Sequence, residues 1–279
     1  MGTNGLPKSA VYFLYKYSGI MHVQERLTYM SGHRFLAILL FHRTTDEIPE
    51  DGLTVSMPWL RGFCELMRDQ FHVVPLAELH RLLSKGQAPP RTVAITFDDC
   101  YRDNLFAARM LAEHGLPATF FLPSRYVGTD HVFEWDKSLK KMPNLDWNDV
   151  KEMQQLGHDF GSHTVNHADL GLLGPAEARA ELRDSKKALE DKLQSPIRWF
   201  AYPYGGRNNF RPEYLPIVYE LGYEACFSGF GGFVFPRMLG KVLPREPITQ
   251  FRSLLKLELH LRGCLDWFYK VKRTAGLIS

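Results

Sequence analysis

The sequence predicts an α/β fold, a single-domain (β/α) barrel of about seven parallel strands. Three observations predict it. Short apolar runs alternate with amphipathic helical patterns along most of the 279 residues. Six or seven such units follow one another without a Gly-x-Gly-x-x-Gly turn, which favours a barrel over a dinucleotide-binding sheet. The motifs richest in chemistry stand just past the C-terminal ends of the strand-like runs, the face on which barrels build active sites.

The elements follow in order. Phe35 to Phe41 (FLAILLF) is apolar throughout, as a strand buried on both faces would be. Met57 to Gln70 sets Leu60, Phe63, Cys64 and Met67 at helical spacing, and Leu76 to Ser84 is a second helix ended by Gly86 and Pro89–Pro90. Thr92 to Phe97 (TVAITF) is a short β-branched strand. Asp103 to His114 reads as a helix stopped by Gly115 and Pro117, and Ala118 to Leu122 as the next strand. Gly128 to Asp146 has no clear pattern, and in a barrel it becomes a long loop near the active face. Helices follow at Trp147 to Leu156, Pro175 to Leu193 and Pro212 to Leu221, with strands at Asp159 to Ser162, Arg198 to Tyr202, Glu224 to Phe227 and Val242 to Leu243. A final amphipathic helix is expected from Phe251 to Tyr269. The chain divides into an N-terminal helical extension (1–34), the barrel (35–247) and a C-terminal amphipathic helix (248–279).

Composition narrows the class. Apolar residues are 45% and charged residues 23%, ordinary for a soluble globular protein and unlike a disordered or fibrous one. The 34 Lys and Arg against 31 Asp and Glu leave a net charge of +3, too balanced to suggest nucleic acid binding. Cys64, Cys100, Cys226 and Cys264 are far apart, which excludes a Cys-rich zinc module and argues against a disulfide scaffold. No run approaches the ~18 apolar residues of a membrane span, and no signal peptide is read at the start. With the free thiols, this points to the cytoplasm. Two stretches, Val11 to Tyr17 and Leu254 to Arg273, fit either a helix packed on the domain or one lying on a membrane surface.

Three motifs carry the chemistry. Thr96–Phe97–Asp98–Asp99 ends the TVAITF strand, and adjacent carboxylates leaving an apolar strand need compensation, which a metal supplies. Ser162–His163–Thr164–Val165–Asn166–His167 follows the DFGS strand, and on a helical turn its i,i+4 histidines face one direction. With Asp99 they make a 2-His-1-carboxylate set with open positions, suited to catalytic zinc and also to non-haem iron. Tyr202–Pro203–Tyr204–Gly205–Gly206 is a tight turn able to aim a backbone N–H at a substrate. A capping turn, a chance pair among 11 histidines and an ordinary loop would explain each motif singly. Their shared position at strand ends is what joins them.

TFDD, SHTVNH and AYPYGG, in that order, resemble the NodB-homology polysaccharide deacetylases, carbohydrate esterase family four, over about Phe35 to Arg245. The resemblance implies a distorted barrel with fewer than eight strands. It makes Asp98 the general base, and Asp99, His163 and His167 the ligands of one divalent ion, zinc first, with Co, Ni, Mn or Fe as alternatives. It implies removal of N-acetyl groups from an amino-sugar glycan; should the C-terminal stretch lie on a membrane, a lipid-linked amino sugar becomes a candidate substrate. Tyr204, with Pro203, is then the oxyanion and substrate-binding turn.

The chain departs from the family pattern twice. Ala201 stands where members carry an Arg that tunes the base; Arg198 lies three residues back, and Arg245 of LPREP is the candidate for this role and for the substrate pocket. The late Leu-x-His finds only His260, with Glu258 in place of the Leu, inside a helical pattern. His42 of Leu40–Phe41–His42–Arg43 instead resembles the Tyr-His-Arg segment of the poly-N-acetylglucosamine deacetylases, where an early His is the acid. Trp135, Trp147, Tyr126 and Tyr202 are candidate sugar-stacking aromatics. A hydrolase of a small amide or cyclic imide, and an inactive carbohydrate-binding relative, remain as rival readings. An iron oxygenase would share the ligand set but usually sits on an antiparallel fold.

Overall fold

The computed structural model describes residues 15, 17–30 and 36–263. Eight helices are labelled here: α1 (Ile20–Met30), α2 (Met57–Gln70), α3 (Leu76–Lys85), α4 (Asp103–Glu113), α5 (Trp147–Gln155), α6 (Pro175–Leu193), α7 (Leu215–Glu220) and α8 (Leu254–Leu261). The principal strands are β1 (Ala37–Phe41), β5 (Thr92–Asp98), β6 (Ala118–Leu122), β7 (Asp159–Ser162), β8 (Trp199–Ala201), β9 (Ala225–Phe227), β10 (Val242–Leu243) and β11 (Glu246–Pro247). They hydrogen-bond in the order β10–β9–β8–β7–β6–β5–β1–β11, every pair parallel. Short β2 (Arg43–Thr44) and β3 (Thr54–Val55) pair with each other, and β4 (His72–Val73) adds to β5. The sequence patterns had no signal for these two-residue strands or for β11, because so few residues show no period.

The two ends of the sheet, β10 and β11, are consecutive in the chain, with only Pro244 and Arg245 between them. One extended segment thus pairs with β9 through its first half and with β1 through its second. That closes the ring, and counting the segment once gives the seven parallel strands expected.

Side chains alternate across the strands and divide the interior in two. Leu39, Phe41, Ile95, Phe97, Phe120 and Phe200 face outward and pack under the helices, against residues such as Phe63, Leu111, Val150 and Leu182. Ile38, Ala94, Phe121, Trp199, Ala225 and Phe227 face inward. Leu76, Leu79, Leu82 and Leu83 of α3 plug this inner core. The N-terminal end of the barrel is therefore solid, and polar groups are left to the other end.

Local rules explain the helices. In α2, Leu60, Phe63, Cys64 and Met67 are the buried stripe. α3 stops at Gly86, whose φ of 60° is the left-handed cap glycine tolerates. Asp146 and Asp149 form a capping box on α5. The segment 128–146, expected to be irregular, contains a 3₁₀ turn at Glu134–Asp136 and one bridge from Asn144 to Tyr101.

The expected C-terminal helix is found over Leu254–Leu261, starting three residues late, and its expected part beyond Gly263 lies outside the described residues. Ile248, Phe251, Leu257 and Leu261 belong to the same core as the strands. Arg262 reaches Glu258 at 2.7 Å and Glu25 of α1 at 3.2 Å, so the described part of this helix is packed on the barrel. The stretch Val11 to Leu14 also lies outside the described residues. Among those described, no helix is long and apolar enough to cross a membrane.

Candidate active site

The period-two alternation that buries Ala94 inside the barrel carries Thr96 and then Asp98 up the same inner face of β5. On β1 the same rule carries Ile38, Leu40 and then His42 inward, and on the closing segment it carries Leu243 and then Arg245. Asp98, His42 and Arg245 thus meet at the open end of the barrel. They line a cavity of about 300 Å³ together with Asp99, His163, His167, Trp135 and Tyr204.

Arg245 is fully buried and holds Asp98 in a fork, Nη1 to Oδ1 at 2.7 Å and Nη2 to Oδ2 at 2.6 Å. Its Nε donates to the Ser228 carbonyl at 2.8 Å, and the guanidinium lies over the Phe121 ring at 5.1 Å. Arg245 therefore positions the carboxylate. Both terminal nitrogens are engaged by Asp98, so the role of a direct substrate contact, also expected for it, is not what its bonding supports. Arg198, the other arginine near the missing family position, is half-exposed and lies toward Asp159 and Glu224.

Asp99, His163 and His167 come together as one cluster, all buried, with potential ligand atoms within 4.8 Å of one another. Asp99 Oδ1 is 3.4 Å from His163 Nε2 and 3.2 Å from His167 Nε2. The His163–Thr164–Val165–Asn166–His167 segment is not helical, which corrects the helical-turn expectation. The rings converge because Thr164 (φ 64°) and His167 (φ 52°) adopt left-handed backbone. Glu181 of α6 holds the loop, accepting the Val165 N–H at 2.8 Å and the Asn166 N–H at 3.0 Å. Of the seven non-glycine residues with left-handed backbone among those described, five stand at the three motifs: Asp99, Cys100, Thr164, His167 and Tyr204. Each costs about 1–3 kcal/mol and persists only where the surroundings enforce it.

The donors fit a divalent ion. Asp99 Oδ1 is buried with no hydrogen-bond partner among the described residues, which costs free energy unless a cation lies against it. His163 Nδ1 lies 2.8 Å from the Ala201 carbonyl, which fixes its proton there and leaves Nε2 as a lone pair facing Asp99. Two imidazoles and one carboxylate leave positions open for water and substrate.

The electrostatics favour positive charge at this point. Burial works to raise the Asp99 carboxyl, but the neighbouring imidazoles of His163 and His167 hold it well below the usual carboxylate range. Burial opposes Asp98 in the same way, and Arg245 and His163 outweigh it, so this carboxyl too stays low. Burial pushes the His42 imidazole below its ordinary value of 6.5, against the opposing pull of Asp99 and Asp98.

Tyr204 follows β8 in a turn with φ of 61°, and its side chain is 57% exposed at the rim. Gly205 is required beneath it: a Cβ there would come within 2.5 Å of the Gly229 backbone nitrogen. The Tyr204 N–H donates to no acceptor among the described residues. Trp135 and Tyr204 rings flank His167, at 5.3 and 4.9 Å.

A family model for polysaccharide deacetylases matches residues 85–226, half of the chain. The chain belongs to the polysaccharide deacetylase family. YxkH of Bacillus subtilis, provisionally named a polysaccharide deacetylase, is 28% identical over 195 residues, 68% of this chain and 62% of that one. A poly-beta-1,6-N-acetyl-D-glucosamine N-deacetylase of Staphylococcus epidermidis is 26% identical over 195 residues, 65% of this chain and 63% of its own length. This chain thus spans under two thirds of these relatives. The Streptococcus pyogenes deacetylase PplD, solved in complex with acetate, superposes with a TM-score of 0.68 at 26% identity, covering 82% of this chain and 98% of that one. The NodB-homology resemblance and the barrel expectation both stand.

The remaining candidates of this deacetylase-family chain sort by position. Tyr202 and Trp135 line the cavity, whereas Trp147 lies outside it, near Lys192 at 5.6 Å. Tyr126 stacks on His131 at 3.5 Å, one step further from the ligands. His260 is packed between Phe233 and Phe251 beside Glu246 and does not line the cavity. Sequence reasoning missed the other rim of the cavity, Gly52 and Leu53, and the buried acid Asp136 beside Trp135. The only signal was Asp136 itself, an acid immediately after a tryptophan in a loop without apolar period.

Proposed function

We propose that this chain is a metal-dependent hydrolase that removes N-acetyl groups from an amino-sugar glycan. The observation that carries the proposal is the Arg245–Asp98 fork directly beside the Asp99–His163–His167 cluster, in one cavity with His42. The N₂O donor set favours zinc. A divalent ion held by Asp99, His163 and His167 would supply Lewis acidity, making a coordinated water far more acidic and polarising the acetamide carbonyl.

The chain's own groups do the rest. Asp98, kept ionised by Arg245, takes the proton of the attacking water. The Tyr204 N–H is the donor assigned to the developing oxyanion, and one such donor contributes roughly 3 kcal/mol at the transition state. His42 gives its proton to the departing amine, so acetate and a free amino sugar leave. Trp135 and Tyr204 offer apolar ring faces to the sugar. The staphylococcal relative's named activity supports the amino-sugar class.

Asp98→Asn tests the reading. It should abolish acetate release from N-acetylated chito-oligosaccharides while leaving one bound metal per chain. Retained acetate release sinks the base assignment. Hydrolysis of allantoin-like imides by the wild type, with no acetate release, would establish the small-imide alternative.

A further inference from the structure

We propose that Arg43 is a positioning residue that ties two loops lining the cavity to each other at a fixed spacing, and that this spacing sets how the glycan is held. The proposal rests on the deacetylase reading for its substrate. Its structural part stands independently.

Arg43 follows His42 immediately and is 1% exposed. Its guanidinium reaches two loops that are far apart in sequence. Nη2 donates to Asp51 Oδ2 at 2.6 Å and Nε to Thr54 Oγ1 at 3.0 Å. Asp51 Oδ1 in turn accepts the N–H groups of Leu53 and Thr54, both at 2.8 Å. This fixes Gly52 and Leu53, which form one rim. On the other side Nη1 donates to the buried Asp136. Asp136 Oδ2 accepts the Tyr101 hydroxyl at 2.5 Å, and that hydroxyl accepts the Trp135 indole N–H at 3.0 Å. Trp135 is the second rim and stands over His167.

One planar cation therefore serves two carboxylates on two loops through separate nitrogens. A lysine keeps the charge and supplies donors but lacks the fork, so it cannot span both at once. None of these bonds touches Asp98, Asp99, His163 or His167. The pin should act on how substrate is held and leave the chemical step alone.

The experiment compares wild type, Arg43→Lys and Asp51→Asn as metal-loaded full-length chains. The lysine variant keeps Asp136 paired with a cation, and Asp51→Asn cuts only the half-exposed side of the pin. KM and kcat are measured on tetra-N-acetylchitotetraose. The expected result is a KM raised about tenfold in Arg43→Lys and at least threefold in Asp51→Asn, with kcat within threefold of wild type. In parallel, acrylamide quenching of tryptophan fluorescence is measured with Trp135→Phe as background. The Trp135 component should be quenched at least twice as strongly in Arg43→Lys. Unchanged KM, or a loss carried by kcat alone, overturns the proposal and assigns Arg43 to His42 placement. Unchanged Trp135 quenching overturns it as well. A wild type that releases no acetate defeats the deacetylase reading, while the quenching comparison still decides the pin.

Discussion

Replacing Arg245 with methionine removes the cation that holds Asp98 ionised and leaves the carboxylate buried. The paired atoms are 2.6 and 2.7 Å apart. Taking about 4 Å between charge centres and an effective dielectric of about 20, the pair is worth about 4 kcal/mol. At 1.36 kcal/mol per unit this is about three pKa units, an upper limit because water admitted to the cavity screens the charge. An upward shift of about 1–3 units is expected. The acidic limb of kcat/KM for acetate release, which reports the ionisation of the base, should move up by that amount in the metal-loaded enzyme. The pH dependence of stability should weaken as well. In the wild type the Asp98 carboxyl is held below its ordinary 3.8, so its stabilisation is present above 3.8 and lost as pH falls through the lower folded value. In the variant burial is opposed only by His163 and His42, so the folded value rises and the stabilisation present above 3.8 shrinks. Arg245→Lys should show a smaller shift. An acidic limb that stays in place in Arg245→Met refutes the reasoning, because Asp98 would then not be the group that must ionise.

Other outcomes follow from the same geometry. His42→Gln should slow amide cleavage by about 10²–10⁴ but leave aryl acetate ester hydrolysis nearly intact, since that leaving group needs no proton; equal losses on both substrates count against an acid role. Because burial lowers His42, the alkaline limb of kcat/KM should fall below pH 6.5 and disappear in that variant; a limb well above 6.5 contradicts this. A Gly161 Cβ would stand 2.4 Å from the Phe121 ring under Arg245, so Gly161→Ala should destabilise by about 1–3 kcal/mol, read as a lower Tm. An unchanged Tm would show that the ring can move freely. Adding zinc at about 100 times its Kd should stabilise the wild type by about 2.7 kcal/mol and Asp99→Ala by far less, measured by denaturant melts. Equal gains would place the ion elsewhere.

Much of this was legible in the sequence because it is periodic or adjacent. FLAILLF, TVAITF and ATFFL announce strands by composition, and the buried stripe of α2 announces itself by spacing. The candidate ligands Asp99, His163 and His167 sit at the ends of such runs, so locating the strands located them. The convergence of the histidines was harder to read. It depends on left-handed backbone at Thr164 and His167 and on Glu181 from a distant helix, and neither leaves a local pattern. Arg245 could be named as a candidate, but its partner could not be derived from spacing, because 147 residues separate it from Asp98. The pairing of Arg43 with Asp136 was invisible for the same reason: contacts made only by barrel closure carry no short-range signature.

The closing segment has a temporal consequence. Asp98 is made early in synthesis, and the residue that keeps it charged arrives only when Arg245 emerges and its segment docks between β9 and β1. Chains are synthesised from the N-terminus and fold as units. A chain lacking this segment would still carry Asp99, His163 and His167 but no guanidinium to pair with Asp98. On the proposed reading, the segment that closes the ring also completes the base.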